Sequence, residues 1–162
     1  MRGWPDSALL EAAQLLLLTE SMKTSGARKR TSGARMKPPL VAIVADSQDT
    51  IAGLEQYLEG AGVSAITSKR LDDSTQISLP LRAIVLFPDG FRHGDATEWI
   101  ASVRRQGPKL LVIIVTGSPQ RIVGALRPEL NCSIPMVLPK PVFGWTILDA
   151  IRAHARSTGA DG

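Results

Sequence analysis

The sequence predicts a doubly wound α/β fold, in which helices cover both faces of a five-stranded parallel sheet. Short, continuous apolar runs rich in β-branched residues recur along the chain, and such runs are typical of strands that are buried on both faces. Segments with helical periodicity separate them, which favours right-handed crossovers and the strand order 2-1-3-4-5. Hydrophobic residues make up 44% of the 162 residues and charged residues 21%, a balance that supports a packed core and excludes global disorder.

The first predicted elements are two strands with a helix between them. A buried strand covers 40–44, and a weaker strand covers 63–67. Apolar residues at helical spacing predict a helix over 46–58, which a pair of glycines ends. The residues expected on its apolar face are Ile51, Leu54, Tyr57 and Leu58. Residues 68–80 are polar and poorly patterned, so we expect a short or distorted helix there.

The second half of the predicted domain repeats the same alternation. A strand at 83–87 ends at a Pro-Asp-Gly turn, and Asp95 is the expected N-cap of the next helix. A buried strand follows at 110–115. Ser118, with proline at the next position, is typical of a helix start. The last strand covers 135–138. The apolar residues of the final helix are Trp145, Ile147, Leu148 and Ile151.

Positive charge is concentrated at the N-terminus. Residues 1–39 hold seven Lys and Arg against three acids, and the rest of the chain holds 12 of each sign. The net charge of +4 therefore belongs to the N-terminal segment, and a phosphate-binding face on the folded part is not supported. We expect a helical extension over 1–22, or untranslated upstream sequence if Met22 or Met36 is the start. A flexible basic linker with a repeated Thr-Ser-Gly-Ala-Arg motif is expected over 23–37.

The composition also limits the chemistry of the expected domain at 38–157 and its tail at 158–162. The single cysteine, Cys132, excludes an intramolecular disulfide and a cysteine-based zinc site. Two histidines argue against a His-rich metal centre. No apolar run approaches the roughly 20 residues of a membrane span.

Polar side chains follow the predicted strands at their carboxyl ends, where ligand sites of doubly wound folds lie. Asp46 follows the first strand and Asp89 the third. Thr116 ends the fourth strand, and Lys140 follows the fifth. We expect these four side chains to meet at one edge of the sheet.

Three motifs at these strand ends resemble the receiver (CheY-like) domain of bacterial two-component response regulators. They are Val41-Ala42-Ile43-Val44-Ala45-Asp46, the hydroxyl-plus-small pair Thr116-Gly117, and Lys140-Pro141. The similarity covers roughly 38–156 and implies a flavodoxin-like fold with a cis peptide before that proline. It also implies a phosphoryl-accepting aspartate, Mg²⁺ held by carboxylates, a lysine that pairs with the acceptor and its phosphate, and a hydroxyl that bonds a phosphate oxygen.

The sequence departs from the receiver pattern at the phosphoacceptor. An ungapped alignment back from 98–107 puts Pro88 at that position, and proline carries no nucleophile. Ala45 replaces the first acid of the acidic pair, which leaves Asp46 alone, and Val137 stands where the family has an aromatic residue. The chain is therefore similar to the degenerate pseudo-receiver subset. We expect no enzyme activity, no metal and no cofactor.

Each pocket residue also has a structural interpretation. Asp46 is the expected cap of the first helix, with residual metal binding as the alternative. Asp89 belongs to a turn motif, with a shifted phosphoacceptor as the alternative. Thr116 is expected to bond a loop rather than to sense a phosphate. Lys140 is expected to form a structural ion pair with Asp46 or Asp89.

The leading functional hypothesis is a cytoplasmic, stand-alone module of signal transduction that binds proteins independently of phosphorylation. Only six residues follow Arg156, so we expect no effector domain and an output through a partner protein or a second copy. Receivers use the face of their fourth helix, fifth strand and fifth helix, here roughly 119–130 and 142–156. The predicted contact residues are Gln120, Ile122, Val123, Trp145, Leu148 and Arg152.

Three alternatives remain open. One is a phosphorelay receiver that is phosphorylated at Asp89 with help from Asp46 and Lys140. Another is a protein that binds nucleic acid or an anionic membrane through its basic N-terminal tail. The third, a flavodoxin-like nucleotide binder, has little support because no glycine-rich loop follows the first strand. No small-molecule substrate is expected.

Overall fold

The computed structural model describes residues 38–72, 80–128 and 132–159, and a five-stranded sheet lies at its centre. The strands are β1 (Leu40–Val44), β2 (Ser64–Ser68), β3 (Leu81–Leu86), β4 (Leu111–Thr116) and β5 (Met136–Pro139). All neighbouring pairs are parallel, and the order across the sheet is β2-β1-β3-β4-β5. The predicted fold class and strand order are therefore confirmed.

Four α-helices and a 3₁₀ turn connect the strands in the described part of the chain. The helices are α1 (Gln48–Gly60), α2 (His93–Gln106), α3 (Pro119–Ala125) and α4 (Gly144–Gly159), and the 3₁₀ turn is Pro88–Gly90. None of these helices is both long enough and apolar enough to cross a membrane. The helix expected within 68–80 falls mainly on residues 73–79, outside the described residues. The same holds for the predicted extension (1–22), the linker (23–37) and residues 160–162 of the tail.

The core consists of two apolar layers, one on each face of the sheet. Val41 and Ile43 of β1 point into the layer formed with α1 and α4. Ala42 and Val44 of the same strand point into the layer formed with α2 and α3. Because successive strand residues face opposite sides and both sides are covered, the strand must be apolar at every position. Burial of the sheet on both faces therefore explains the continuous apolar runs in the sequence.

The helix starts differ from two of the sequence predictions. Ser47, not Asp46, is the N-cap of α1, and its hydroxyl accepts a hydrogen bond from the Thr50 amide at 3.4 Å. Asp95 lies in the first turn of α2 rather than at its cap, because the helix begins two residues earlier, at His93. The predicted start of α3 is confirmed, with Ser118 at the N-cap and proline as the first helical residue.

Two side chains, Tyr57 and Arg104, lie in environments that the sequence did not predict. Tyr57, expected on the buried face of α1, is 43% exposed. Arg104 of α2 is buried, and its guanidinium donates to the carbonyl oxygens of Ser133 (3.3 Å) and Arg127 (3.2 Å). Trp99 is also buried, and its indole N–H has no hydrogen-bond partner among the described residues.

Candidate functional site

The predicted pocket lies at the carboxyl edge of the sheet, and three of its polar side chains are in direct contact. The Asp89 carboxylate accepts a hydrogen bond from the Thr116 hydroxyl, with an Oγ1–Oδ1 distance of 2.5 Å. Its other oxygen accepts from the Gly117 amide at 2.9 Å and contacts Lys140 Nζ at 2.9 Å. The Asp89 carboxylate is therefore the centre of the site, with three donors around it.

A 3₁₀ turn directs Asp89 into the pocket. The Phe87 amide still bonds the Val44 carbonyl at 2.9 Å, so β3 keeps contact with β1 up to that residue. Pro88 then begins the 3₁₀ turn and is itself buried. On an extended strand, Asp89 and Pro88 would point to opposite sides. The tighter 3₁₀ path brings the carboxylate back over the edge of the sheet, where it reaches Thr116.

Backbone contacts at the ends of β4 and β5 hold the two side-chain donors, the Thr116 hydroxyl and the Lys140 ammonium, in position. Thr116, the last residue of β4, is buried, and its hydroxyl accepts a bond from the Ser118 amide at 3.1 Å while it donates to Asp89. The Lys140 amide bonds the Thr116 carbonyl at 3.0 Å. The Lys140-Pro141 peptide is cis, as the resemblance implies. These contacts place the lysine beside the hydroxyl.

The Lys140 ammonium has an aromatic neighbour as well as a carboxylate. It lies 5.8 Å from the centroid of the Phe87 ring, within the range in which a cation is attracted by the face of an aromatic ring. Phe87 is the last residue before the 3₁₀ turn that carries Asp89. The Phe87 ring and the Asp89 carboxylate, on either side of Pro88, therefore both attract the same lysine. Phe87 was not predicted to be a site residue, because nothing in the strand pattern distinguishes it from a core phenylalanine.

The contacts around Asp89 favour its ionised form. Partial burial raises the pKa of this carboxyl, because burial disfavours the charged form. The hydrogen bonds from Thr116, Lys140 and Gly117, together with the positive charge of Lys140, outweigh this effect and hold the pKa below its usual value. Asp89 is thus a carboxylate at neutral pH, and its side chain remains 37% exposed.

Asp46 lies near the site without joining this hydrogen-bond network. It is exposed, and its carboxyl group lies directly against Gly90, so closely that a Cβ at position 90 would overlap it. Ala45, the residue before it, is fully buried. Lys140 is therefore paired with Asp89 and not with Asp46. The sequence had left these two acids as alternative partners for its ion pair.

The donor set does not fit the magnesium ion that the receiver resemblance implies. Mg²⁺ requires several oxygen ligands in near-octahedral geometry. Both Asp89 oxygens already accept hydrogen bonds or pair with Lys140, and position 45 offers only a methyl group. The described residues hold no group of three acidic, His or Cys side chains that could bind a metal ion.

The predicted interaction face corresponds to α3, β5 and α4, and two of its six proposed residues are not at the surface. Ile122 and Leu148 were wrongly assigned to this face, because both side chains point into the core and are 3% and 5% exposed. The residues of the set that are exposed are Gln120, Val123, Trp145 and Arg152. Trp145 stacks on Phe143 with ring centroids 6.0 Å apart, and both rings are exposed.

No protein-family model matches the chain, and neither does any curated protein. Solved structures do match. The receiver domain of an HD domain-containing protein from Pseudomonas fluorescens Pf-5 has a TM-score of 0.64 at 17% identity, covering 76% of this chain and 98% of that one. A CheY-like receiver domain from Methanospirillum hungatei JF-1 has a TM-score of 0.64 at 18% identity, covering 77% and 99%. A receiver protein from Sinorhizobium medicae WSM419 has a TM-score of 0.63 at 12% identity, covering 74% and 96%.

The chain has the receiver fold. These identities are low, so the likeness establishes the fold and leaves the function to the site itself. Within this receiver fold, Asp89, Thr116 and Lys140 converge, whereas Pro88 and Ala45 contribute no polar group. The expected cluster of four polar residues is therefore a contact network of three, with Asp46 beside it.

Proposed function

We propose that the chain is a pseudo-receiver, a signalling module that binds proteins through its surface and does not depend on aspartyl phosphorylation. One observation carries this proposal: the carboxylate of Asp89 already engages the Thr116 hydroxyl, the Gly117 amide and the Lys140 ammonium. By the receiver resemblance, the hydroxyl and the lysine are the groups that bind a phosphoryl group. The Thr116 hydroxyl, which the resemblance assigns to a phosphate oxygen, is therefore already engaged by an internal carboxylate.

The same contacts oppose phosphorylation of Asp89 itself. A nucleophilic carboxylate must approach phosphorus in line, and small misplacements of a reacting group are costly. Both carboxylate oxygens accept charge-assisted hydrogen bonds, which hold the group in its present orientation and stabilise its charge, and such bonds are stronger than neutral ones. The negative charge of the incoming phosphoryl group also needs neutralising. Lys140, the cation in direct contact with Asp89, is already paired with its carboxylate.

The output surface of the module is the exposed part of α3, β5 and α4. Val123 and Trp145 are 57% and 56% exposed, and large apolar side chains at the surface are typical of protein-binding sites. Gln120 and Arg152 add polar groups to the same face. The partner on this face is a protein of the signalling pathway or a second copy of the chain, in the cytoplasm.

A second candidate function is a working receiver with its acceptor shifted to Asp89. The observation in its favour is that Asp89, although it follows the expected position by one residue, contacts both Thr116 and Lys140 and remains accessible. Those two residues have the types and strand positions that the receiver resemblance assigns to phosphoryl recognition. The two functions therefore differ in one property, the reactivity of the Asp89 carboxylate.

A third candidate, binding of nucleic acid or an anionic membrane, depends on the charge of the N-terminal segment. Seven of the 19 basic residues lie within 1–39. Binding through such a segment falls steeply with added salt, because it releases counterions. We expect any affinity for DNA or anionic vesicles to be lost when residues 1–37 are deleted. Binding that survives both high salt and the deletion contradicts this candidate.

The deciding experiment measures the intact mass of the full chain after incubation with acetyl phosphate and Mg²⁺. The pseudo-receiver proposal predicts no added phosphoryl group in the wild type, in Asp89→Asn or in the matched control Asp149→Asn. A hydroxylamine-labile adduct that appears in the wild type and in Asp149→Asn, but not in Asp89→Asn, would establish the shifted receiver instead. Backbone NMR shifts of Gly117 and Lys140 with beryllium fluoride provide a second, non-covalent test.

A further inference from the structure

A small cleft lies beside the Asp89–Thr116 pair, between the 3₁₀ turn, the start of α2 and α3. Its volume is about 190 Å³, and neither Lys140 nor Asp46 lines it. It is therefore a different surface of Asp89 from the one that meets the lysine. At roughly 30 Å³ for each water molecule, the cleft holds about six waters, which is enough for a small metabolite and too little for a nucleotide.

Two hydrogen-bond donors of this cleft have no partner among the described residues. The Ser118 hydroxyl makes no capping bond, and neither it nor the Arg121 guanidinium takes part in any other hydrogen bond or ion pair there. Ser118 is the N-cap of α3 and Arg121 follows three positions later, so both project from the same side of the helix. His93, at the start of α2, adds an exposed imidazole to the lining.

The charge of the cleft favours an anion. Among the described residues that line it, Asp89 is the one acidic side chain. The charge of that carboxylate is balanced by Lys140 at 2.9 Å, and its oxygens are occupied by hydrogen bonds. The Arg121 charge is not balanced in this way among the described residues. Arginine also presents five N–H donors in a planar fork that matches the oxygens of a carboxylate or phosphate.

The remaining wall of the cleft is apolar. Phe91, Ala96 and Ile122 line it, and Ala96 and Ile122 belong to the buried layer under α2 and α3. An apolar wall beside a cationic donor suits a ligand that carries its acid group on a short hydrocarbon body. We propose that this cleft binds a small organic oxyanion, a carboxylate or a phosphate monoester, held by Arg121 and the Ser118 hydroxyl.

Such a ligand connects the pocket to the surface of α3. The Ser118 amide donates to the Thr116 hydroxyl, which in turn donates to Asp89. The ligand therefore lies against the Asp89–Thr116 pair and at the start of the helix that carries Gln120 and Val123. The binding site itself does not depend on whether Asp89 can be phosphorylated.

The test is an NMR titration of the full chain with four probes: benzoate, phenyl phosphate, inorganic phosphate and the neutral benzyl alcohol. We expect saturable shifts of the Ser118 and Arg121 amides, with no shift at Gly53 or Gly60 in α1. At least one of the two aromatic oxyanions is expected to bind at least tenfold more tightly than benzyl alcohol. If benzoate binds more tightly, the natural ligand is a carboxylate; if phenyl phosphate does, it is a phosphate monoester.

Variants connect the binding to the named donors. Arg121→Ala and Ser118→Ala are both surface substitutions, and we expect at least a tenfold loss of affinity for the first and a smaller loss for the second. The matched control, Arg82→Ala, removes an exposed arginine at the other end of β3 and leaves affinity unchanged. Affinity that Arg121→Ala does not alter, or equal binding of benzyl alcohol and benzoate, overturns the proposal. Tighter binding of inorganic phosphate than of both aromatic probes overturns it as well, because the apolar wall then contributes nothing.

The outcome is separable from that of the phosphorylation experiment. A covalent phosphoryl adduct on Asp89 changes the mass and overturns the pseudo-receiver proposal. Reversible binding in the cleft changes no mass and depends on Arg121. Either proposal can therefore fail while the other stands.

Discussion

Asp89 and Thr116 lie 27 positions apart in the chain, and the hydroxyl of the threonine donates to the carboxylate at 2.5 Å. This bond joins the turn after β3 to the end of β4. Because Lys140 pairs with the same carboxylate, the ends of three neighbouring strands converge on one side chain. The contribution of the Asp89 side chain to the free energy of unfolding can be measured directly.

Removing Asp89 should cost modest stability, and most of the cost should depend on Lys140. We expect a coupling free energy of about 1 kcal/mol between Asp89→Ala and Lys140→Ala, because a hydrogen-bonded ion pair at the surface contributes little after solvent screening. Both side chains are more than a third exposed, which limits the value. Urea denaturation of the two single variants and the double variant measures it. Strictly additive effects would show that the pair contributes nothing to stability.

The pH dependence of stability should reveal the same contact. The folded pKa of Asp89 lies below its usual 3.8, so its contribution is fully present above that value and is lost as the pH falls through the folded pKa. The stability difference between the wild type and Asp89→Asn should be constant from pH 7 to about 5 and should shrink below that. Denaturation midpoints at a series of pH values test this. A difference that grows on acidification contradicts the lowered pKa.

The sequence predicted the sheet because the central strands are buried on both faces, which makes their runs, such as 40–44 and 111–115, apolar at every position. It predicted the meeting of Asp89, Thr116 and Lys140 because the carboxyl ends of parallel strands share one edge. It left open whether Lys140 pairs with Asp46 or Asp89, since the direction of a Pro-Asp-Gly turn depends on the donors that it meets.

Adjacent residues of similar type explain the remaining errors. Asp46 and Ser47 are both good helix caps, and only the path of the backbone selects Ser47. Ile122 and Val123 are both apolar, and α3 spans only seven residues, too few for periodicity to indicate which one faces the core. Arg104 gave no signal at all, since its role depends on carbonyl groups more than 20 positions away.

The buried Arg104 is expected to contribute more to the stability of the fold than an exposed arginine such as Arg82. Its buried guanidinium holds the carbonyl oxygens of Arg127 and Ser133, on both sides of the segment that leads into β5. Arg104→Ala leaves two carbonyl groups without these donors, and we expect a loss of about 2 to 3 kcal/mol. Arg104→Lys should recover only part of this, because an ammonium lacks the planar fork.

Two measurements check the role of Arg104. Urea denaturation gives the free energy of unfolding. Hydrogen exchange of the Ser133 amide reports on the segment that leads into β5, because this amide bonds the Pro108 carbonyl at 3.1 Å. Exchange should accelerate in Arg104→Ala. The exposed Arg82→Ala serves as the control, with an expected change of less than about 0.5 kcal/mol. Equal losses in the two variants would show that the buried guanidinium has no special role.

The contact between Tyr57 and Gly144 should make a glycine better than alanine at the first position of α4. A Cβ at position 144 would lie 2.8 Å from Cδ1 of the Tyr57 ring, so the ring must move to make room for it. Alanine at a helix position otherwise stabilises by about 0.5 to 1 kcal/mol relative to glycine. We therefore expect Gly144→Ala to be neutral or destabilising in the wild type and stabilising in a Tyr57→Ala background.

Gly94→Ala in α2, where a Cβ meets open space, is the control and should have the same effect in both backgrounds. Thermal denaturation, followed by circular dichroism, measures all the variants. The same gain from Gly144→Ala with and without Tyr57 would mean that the ring yields at no cost, and that Tyr57 is not packed against the start of α4.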